Sequence, residues 1–208
     1  MRKRIAIDIN EVLRDFIRQF ANMYKKVVNP SFDIAYEDIN DFNFINIFPF
    51  LDENGNPDIF LYNKFKYEDC AFEIYGRAEA MDKMLPAEFN LWTQNTMRNF
   101  DDDKIPEIIL FSPFEMNLSI QSTLSFLARF GIRNREICFP IDSITMWDKC
   151  DIMITANPFL LENKPDNKVS FKINCPYNKE TNGTYEFNSM LDVIHDKNNS
   201  LINIIEND

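Results

Sequence analysis

Asp8, Asn10, Ser112 and Thr155 each stand at or just beyond the end of a short apolar run. A carboxylate, an amide and two hydroxyls gathered in one place could hold a polar ligand. Asp8 taken by itself reads as a strand-end carboxylate that caps the turn following it. Ser112 could hydrogen-bond an anion, or it could cap a helix opening at Pro113, since proline is favoured at the first helical position. Lys149 could neutralise charge beside them, or it could be a solvated surface cation. Asp151 lies four residues before Thr155, roughly 13 Å along a strand at ~3.3 Å per residue, so it is no substitute for an acid at the strand end. The four cysteines, Cys70, Cys138, Cys150 and Cys175, include no Cys-x-x-Cys pair, and His195 is the one histidine. That pattern excludes a structural zinc site and reads as free, mostly buried thiols. His195 reads as structural or solvated.

These positions need a scaffold that gathers strand ends. Arg4–Ile9 is a nearly unbroken apolar run, as expected of a strand covered on both faces. Residues 11–27 carry apolar side chains at helical spacing. Strands are expected at 107–111, 135–139, 151–154 and 169–173. A helix is expected at 116–130, closed by Gly131, and another starts near Ser189. Strands alternating with helices imply a parallel sheet, whose ligands bind outside the carboxyl ends of its strands. Residues 28–94 differ. They are rich in Asn, Asp, Pro and Phe, with short helices at 67–75 and 88–99 and no strand pattern. The expected fold is therefore α/β, a three-layer Rossmann-like arrangement formed by residues 1–27 and 95–208, with an inserted, mainly helical cap at 28–94.

The order of these segments resembles the haloacid dehalogenase (HAD) superfamily, in its 5′(3′)-deoxyribonucleotidase-like branch. Ile5-Ala6-Ile7-Asp8-Ile9-Asn10-Glu11-Val12 is similar to the first motif, an apolar strand followed by Asp-x-Asp-Gly. Leu110-Phe111-Ser112 resembles the second. Lys149 through Pro158 resembles the third and fourth, a Lys and then a strand ending in Asp-Asp. Cys175-Pro176-Tyr177-Asn178 matches a Pro-Tyr-Asn segment of that branch. The resemblance implies that Asp8 is the nucleophile, that Ser112 binds phosphoryl oxygens, that Lys149 neutralises charge, and that magnesium is held by oxygens around Asp8.

Three departures change what the resemblance implies. Asn10 replaces the general acid, and loss of a positioned acid costs about 10²–10⁴ in rate. Glu11 replaces a glycine at a tight turn. Thr155-Ala156 replaces the acidic pair that a hard cation needs. The expectation is a catalytically inactive, nucleotidase-like protein that serves as a structural or binding subunit, with a virion as one setting. No cofactor is expected. The alternative is a magnesium-dependent phosphatase acting through Asp8, with Thr155 and Asn157 as the remaining oxygen positions for the metal. Metal-free dehalogenation on Asp8 has no positive signal.

The net charge of −11 disfavours direct nucleic-acid binding, although a nucleotide ligand stays open. Phe42, Phe44, Phe48, Phe50, Phe60 and Phe65 crowd a loop-rich segment. They form either a cap core or a face for protein partners over residues 42–65. Asp8 interrupts the first apolar run too early for a signal peptide, and no run is long enough to span a membrane. A cytoplasmic or virion location is expected.

Overall fold

The computed structural model describes residues 2–98, 100 and 104–206. Among these, six strands form one sheet: β1 (Arg4–Asp8), β2 (Glu107–Phe111), β3 (Glu136–Cys138), β4 (Ile152–Thr155), β5 (Val169–Ile173) and β6 (Tyr185–Phe187). Their order is β3-β2-β1-β4-β5-β6, and every pairing is parallel. This is the α/β Rossmann-like arrangement read from the apolar runs. The sixth strand was not legible: Tyr185-Glu186-Phe187 is three residues long, sits at the sheet edge and carries a charge at its centre.

Period-2 alternation divides the strand side chains between two layers. Ile5 and Ile7 face a layer that contains Leu85 and Phe89 of α3 (Leu85–Arg98), Phe126 and Leu127 of α4 (Leu118–Arg129), Val193 of α7 (Met190–Ile194) and Leu201 of α8 (Ser200–Glu206). Ala6, Ile109 and Met153 face Met146 and Trp147 of α5 (Met146–Lys149) and Leu160 of α6 (Pro158–Glu162). Both faces are thus covered, which is why these strands read as continuous apolar runs. Gly131, with φ +63°, follows α4 in the left-handed conformation of a helix C-terminus.

A third cluster gathers the segment expected to be a cap. Phe16, Phe20 and Tyr24 of α1 (Phe16–Val27) pack against Phe44, Phe48, Phe50, Tyr62 and Phe65. The Phe20 ring meets Phe48, Phe65 and Tyr62 at 5.0, 5.5 and 5.8 Å. Helix α2 (Ile59–Lys64) and two π-helical turns, Phe65–Asp69 and Phe72–Gly76, complete it. Helix α1 buries its apolar face in the cap, whereas α3 buries Leu85 and Phe89 in the sheet layer. The expected end of the latter helix at Asn99 lies outside the described residues.

The helix expected from Glu11 begins instead at Phe16. Glu11 has φ +57°, and the backbone makes bridges from Asn10 to Arg14 and from Arg14 to Ala80 before the helix starts. The Glu11 carboxylate then accepts the Ile17 N–H at 2.8 Å, satisfying one orphan donor of the first turn.

Candidate functional site

Register brings the strand ends level. Asp8 pairs with Phe111 across β1 and β2, and Ile7 pairs with Ile154 across β1 and β4. Asp8, Ser112 and Thr155 therefore meet at the carboxyl edge. There β1 has β2 on one side and β4 on the other, so the chain turns in opposite directions and leaves a crevice. The crevice is small. Its cavity of about 60 Å³ is lined by Asp8, Asn10 and Asn157 from the core and by Phe42, Phe44 and Lys66 from the cap. Small-molecule sites run to roughly 300–1,000 Å³, so the cap as it stands leaves room for a few waters.

Asp8 is buried, and its two carboxylate oxygens are both engaged. Oδ1 accepts the Asn10 N–H at 3.1 Å and Oδ2 accepts the Thr155 hydroxyl at 2.9 Å. Burial pushes its pKa up to about 7, against the lowering effects of these two hydrogen bonds and of the Arg14 charge. Glu11 is also buried and also pushed up to about 7 by burial, opposed by the Ile17 N–H and raised further by Asp15. Its second oxygen accepts the Tyr36 hydroxyl at 2.9 Å, tying the cap to the core.

Asn10, at the cavity wall, has its side chain held by core residues. Its Nδ2 donates to Ser112 Oγ at 2.9 Å, and its Oδ1 accepts Arg14 Nε at 3.0 Å and Nη2 at 2.5 Å. Arg14 is fully buried. It also donates to Glu115 Oε1 at 2.6 Å, to Thr123 Oγ1 at 2.5 Å and to the Tyr75 carbonyl at 3.3 Å. Ser112 Oγ sits 2.5 Å from the same Glu115 oxygen, and Thr123 Oγ1 lies 2.6 Å from the other. The Glu115 carboxylate thus takes the donors of Ser112, Thr123 and Arg14 together.

Lys149 is not brought to this cluster. It is exposed at the end of α5. Asp151, two residues on, donates its N–H to the Arg4 carbonyl, so this stretch lies beside the start of β1, while Asp8 is at that strand's other end. The cation whose charge acts on Asp8 is Arg14. Sequence reading missed Arg14, Thr123 and Glu115. Arg14 reads as a surface charge on a helix beginning at Glu11, and only the late helix start buries it. Lys66 was missed too. Its Nζ lies 4.8 Å from the Tyr67 ring centre and 5.5 Å from that of Phe16, within cation–π range.

The donor set does not fit magnesium. A hard cation needs several free oxygens, mostly carboxylate. Thr155 Oγ1 donates to Asp8 and accepts the Asn157 N–H, while Asn157 Oδ1 caps α6 by accepting the Phe159 N–H. Asn10 Oδ1 faces the Arg14 guanidinium. Glu115, whose charge acts on Asp8, is paired with Arg14 at 2.6 Å, and the two Glu11 oxygens hold the Ile17 N–H and the Tyr36 hydroxyl. Among the described residues no three His, Cys, Asp or Glu side chains group as metal ligands.

The cysteines are free thiols, and the exposed His195 lies 3.8 Å from Glu88. Among the described residues no helix is long and apolar enough to cross a membrane.

No sequence-family model and no curated protein matches this chain. Solved structures do match in shape. A structure described as a haloacid dehalogenase-like hydrolase from Burkholderia xenovorans LB400 aligns at TM-score 0.58 and 9% identity, covering 97% of this chain and 99% of that one. One described as a phosphoglycolate phosphatase from Lactobacillus plantarum aligns at TM-score 0.54 and 10% identity over 94% and 99% of the two chains. One described as a HAD-hydrolase from Bacillus subtilis, bound to magnesium, aligns at TM-score 0.54 and 12% identity over 95% and 100%. The chain therefore shares the fold of these structures across nearly its whole length.

Proposed function

We propose that this chain is a catalytically silent member of the HAD-like fold, of nucleotidase-like descent, that acts as a binding or structural subunit of a larger assembly, with a virion as one setting. The observation that carries the reading is the buried Arg14–Glu115 pair, which occupies Ser112 and Thr123 from within. Asp8 supports it. A carboxyl that burial pushes up to about 7, even against the lowering effect of the Arg14 charge, is partly protonated at neutral pH and is a weak nucleophile. The alternative is a magnesium-dependent deoxyribonucleotidase-like phosphatase acting through Asp8. The matched fold favours it, since two of the similar structures are described as a phosphatase and as a magnesium-bound hydrolase. Phosphate release above an Asp8→Asn blank discriminates the two.

The partner face lies on the cap. Of the six phenylalanines at 42–65, Phe44, Phe48, Phe50 and Phe65 are buried in the cap core and Phe42 is half-buried, whereas Phe60 is 69% exposed. Ile59 and Leu61, beside it in the chain, are exposed as well, and so is Leu51. Aromatic and aliphatic side chains left together at a surface mark protein interfaces. Sedimentation velocity over a concentration series tests this with a second copy as the probe partner. Wild type is expected to self-associate and Phe60→Asp to sediment as a monomer. Identical monomeric behaviour of the two would remove the self-association form of the reading.

A further inference from the structure

We propose that Arg14, Ser112 and Thr123 form an oxyanion site whose resident occupant is the chain's own Glu115. The inference rests on the reading of a silent site and deepens it, because it names what silences the site. A guanidinium and hydroxyls converging on one point make a receptor for a small planar or tetrahedral oxyanion, since charge-assisted hydrogen bonds are the strong ones. The members are buried and come from separate parts of the chain. Arg14 follows β1, Ser112 follows β2, Thr123 lies on α4, and Arg14 reaches the cap through the Tyr75 carbonyl. The Glu115 carboxylate fills this receptor with contacts of 2.5 Å to Ser112, 2.6 Å to Arg14 and 2.6 Å to Thr123.

The backbone shows how it gets there. Phe114 has φ +61° and Asn117 has φ +52°, so the loop carrying Glu115 is in the left-handed region on both sides of it. Phenylalanine adopts that region only at a cost, while its own side chain stays 40% exposed. The turn thus directs residue 115 inward. The carboxylate belongs to a tethered ligand at very high effective concentration, and a free oxyanion competes poorly with it.

Glu115→Ala should vacate the site and leave the donors facing a void of carboxylate size. Formate is the probe, against chloride at matched ionic strength. Thermal unfolding of Glu115→Ala is expected to shift upward with formate, by roughly 5–10 °C when formate is about 100-fold above its Kd. Wild type and Glu115→Gln, whose side chains still fill the space, should show no formate-specific shift. If Glu115→Ala does not fold in chloride, refolding yield replaces the midpoint, and recovery only in formate supports the site. Equal shifts in all three proteins would overturn the inference. So would no formate effect on folded Glu115→Ala, or no recovery in any anion while Glu115→Gln refolds. The silent reading fails separately: it falls if wild type, with Glu115 in place, releases phosphate.

Discussion

Arg14→Ala is expected to cost about 3–5 kcal/mol of folding stability, because it leaves a buried carboxylate without its cation. The Arg14–Glu115 pair has side chains 0% and 1% exposed, so water cannot take over the lost contacts. The guanidinium also lies 4.9 Å from the Tyr75 ring centre and 5.4 Å from that of Phe126. The same residue bonds to Asn10, Tyr75, Thr123 and Glu115, so its loss loosens the seam between cap and core as well. Urea unfolding followed by tryptophan fluorescence measures the cost. The double variant Arg14→Met/Glu115→Leu should recover only part of it: the apolar pair removes the lone buried charge, but Asn10, Ser112 and Thr123 lose their partners. A cost of Arg14→Ala below about 1 kcal/mol, the range of exposed pairs, would mean that the pair is not buried in solution.

Stability should fall as pH rises from about 4 to about 7. Asp8 and Glu11 both sit near 7 in the folded state, against ordinary values of 3.8 and 4.5. Between those limits the folded chain holds protons that the unfolded chain has released, so raising the pH favours unfolding. The stabilisation is fully present below the ordinary carboxylate range and is lost through pH 7. Above that the two groups are ionised in both states and add no further slope. At ~1.4 kcal/mol per pKa unit the effect is of order 3–5 kcal/mol for each group. Asp8→Asn removes one of the two. It should flatten the slope and leave the variant more stable than wild type at pH 8, with the difference narrowing as pH falls and closing only below about pH 4, the ordinary carboxylate range. Parallel pH profiles for wild type and Asp8→Asn would place Asp8 in contact with water or with a cation.

The two readings of the molecule, from sequence and from structure, part where side chains leave the main pattern. Strands β1, β2, β4 and β5 were legible because each is covered on both faces and so reads as an apolar run. Their ends located Asp8, Ser112 and Thr155 by sheet geometry alone. The resemblance placed Lys149 beside them. Its exposed position before β4, however, is fixed by the short helix α5, which no periodicity reveals in four residues. Arg14 was hidden by a helix pattern that runs through Val12 and Phe16, although the turn at Glu11 delays the helix. Glu115, three residues after Ser112, carried no signal, since its inward direction depends on positive φ at Phe114 and Asn117, neither of them glycine. The cap was legible only as aromatic and strand-free. Which of its phenylalanines face inward is decided by contacts between α1 and segments about thirty residues away.

The central claim, that internal bonds have silenced the pocket at Asp8, is tested most directly by turnover. Phosphate release would be followed from a panel of deoxynucleoside monophosphates with magnesium, with Asp8→Asn as the blank and circular dichroism to show that both proteins are folded. Wild type is expected to release no more phosphate than the blank. Magnesium-dependent release above it would contradict the account, and would mean that the cap opens, Glu115 leaves Ser112, and the metal finds oxygens that are bonded elsewhere in this structure.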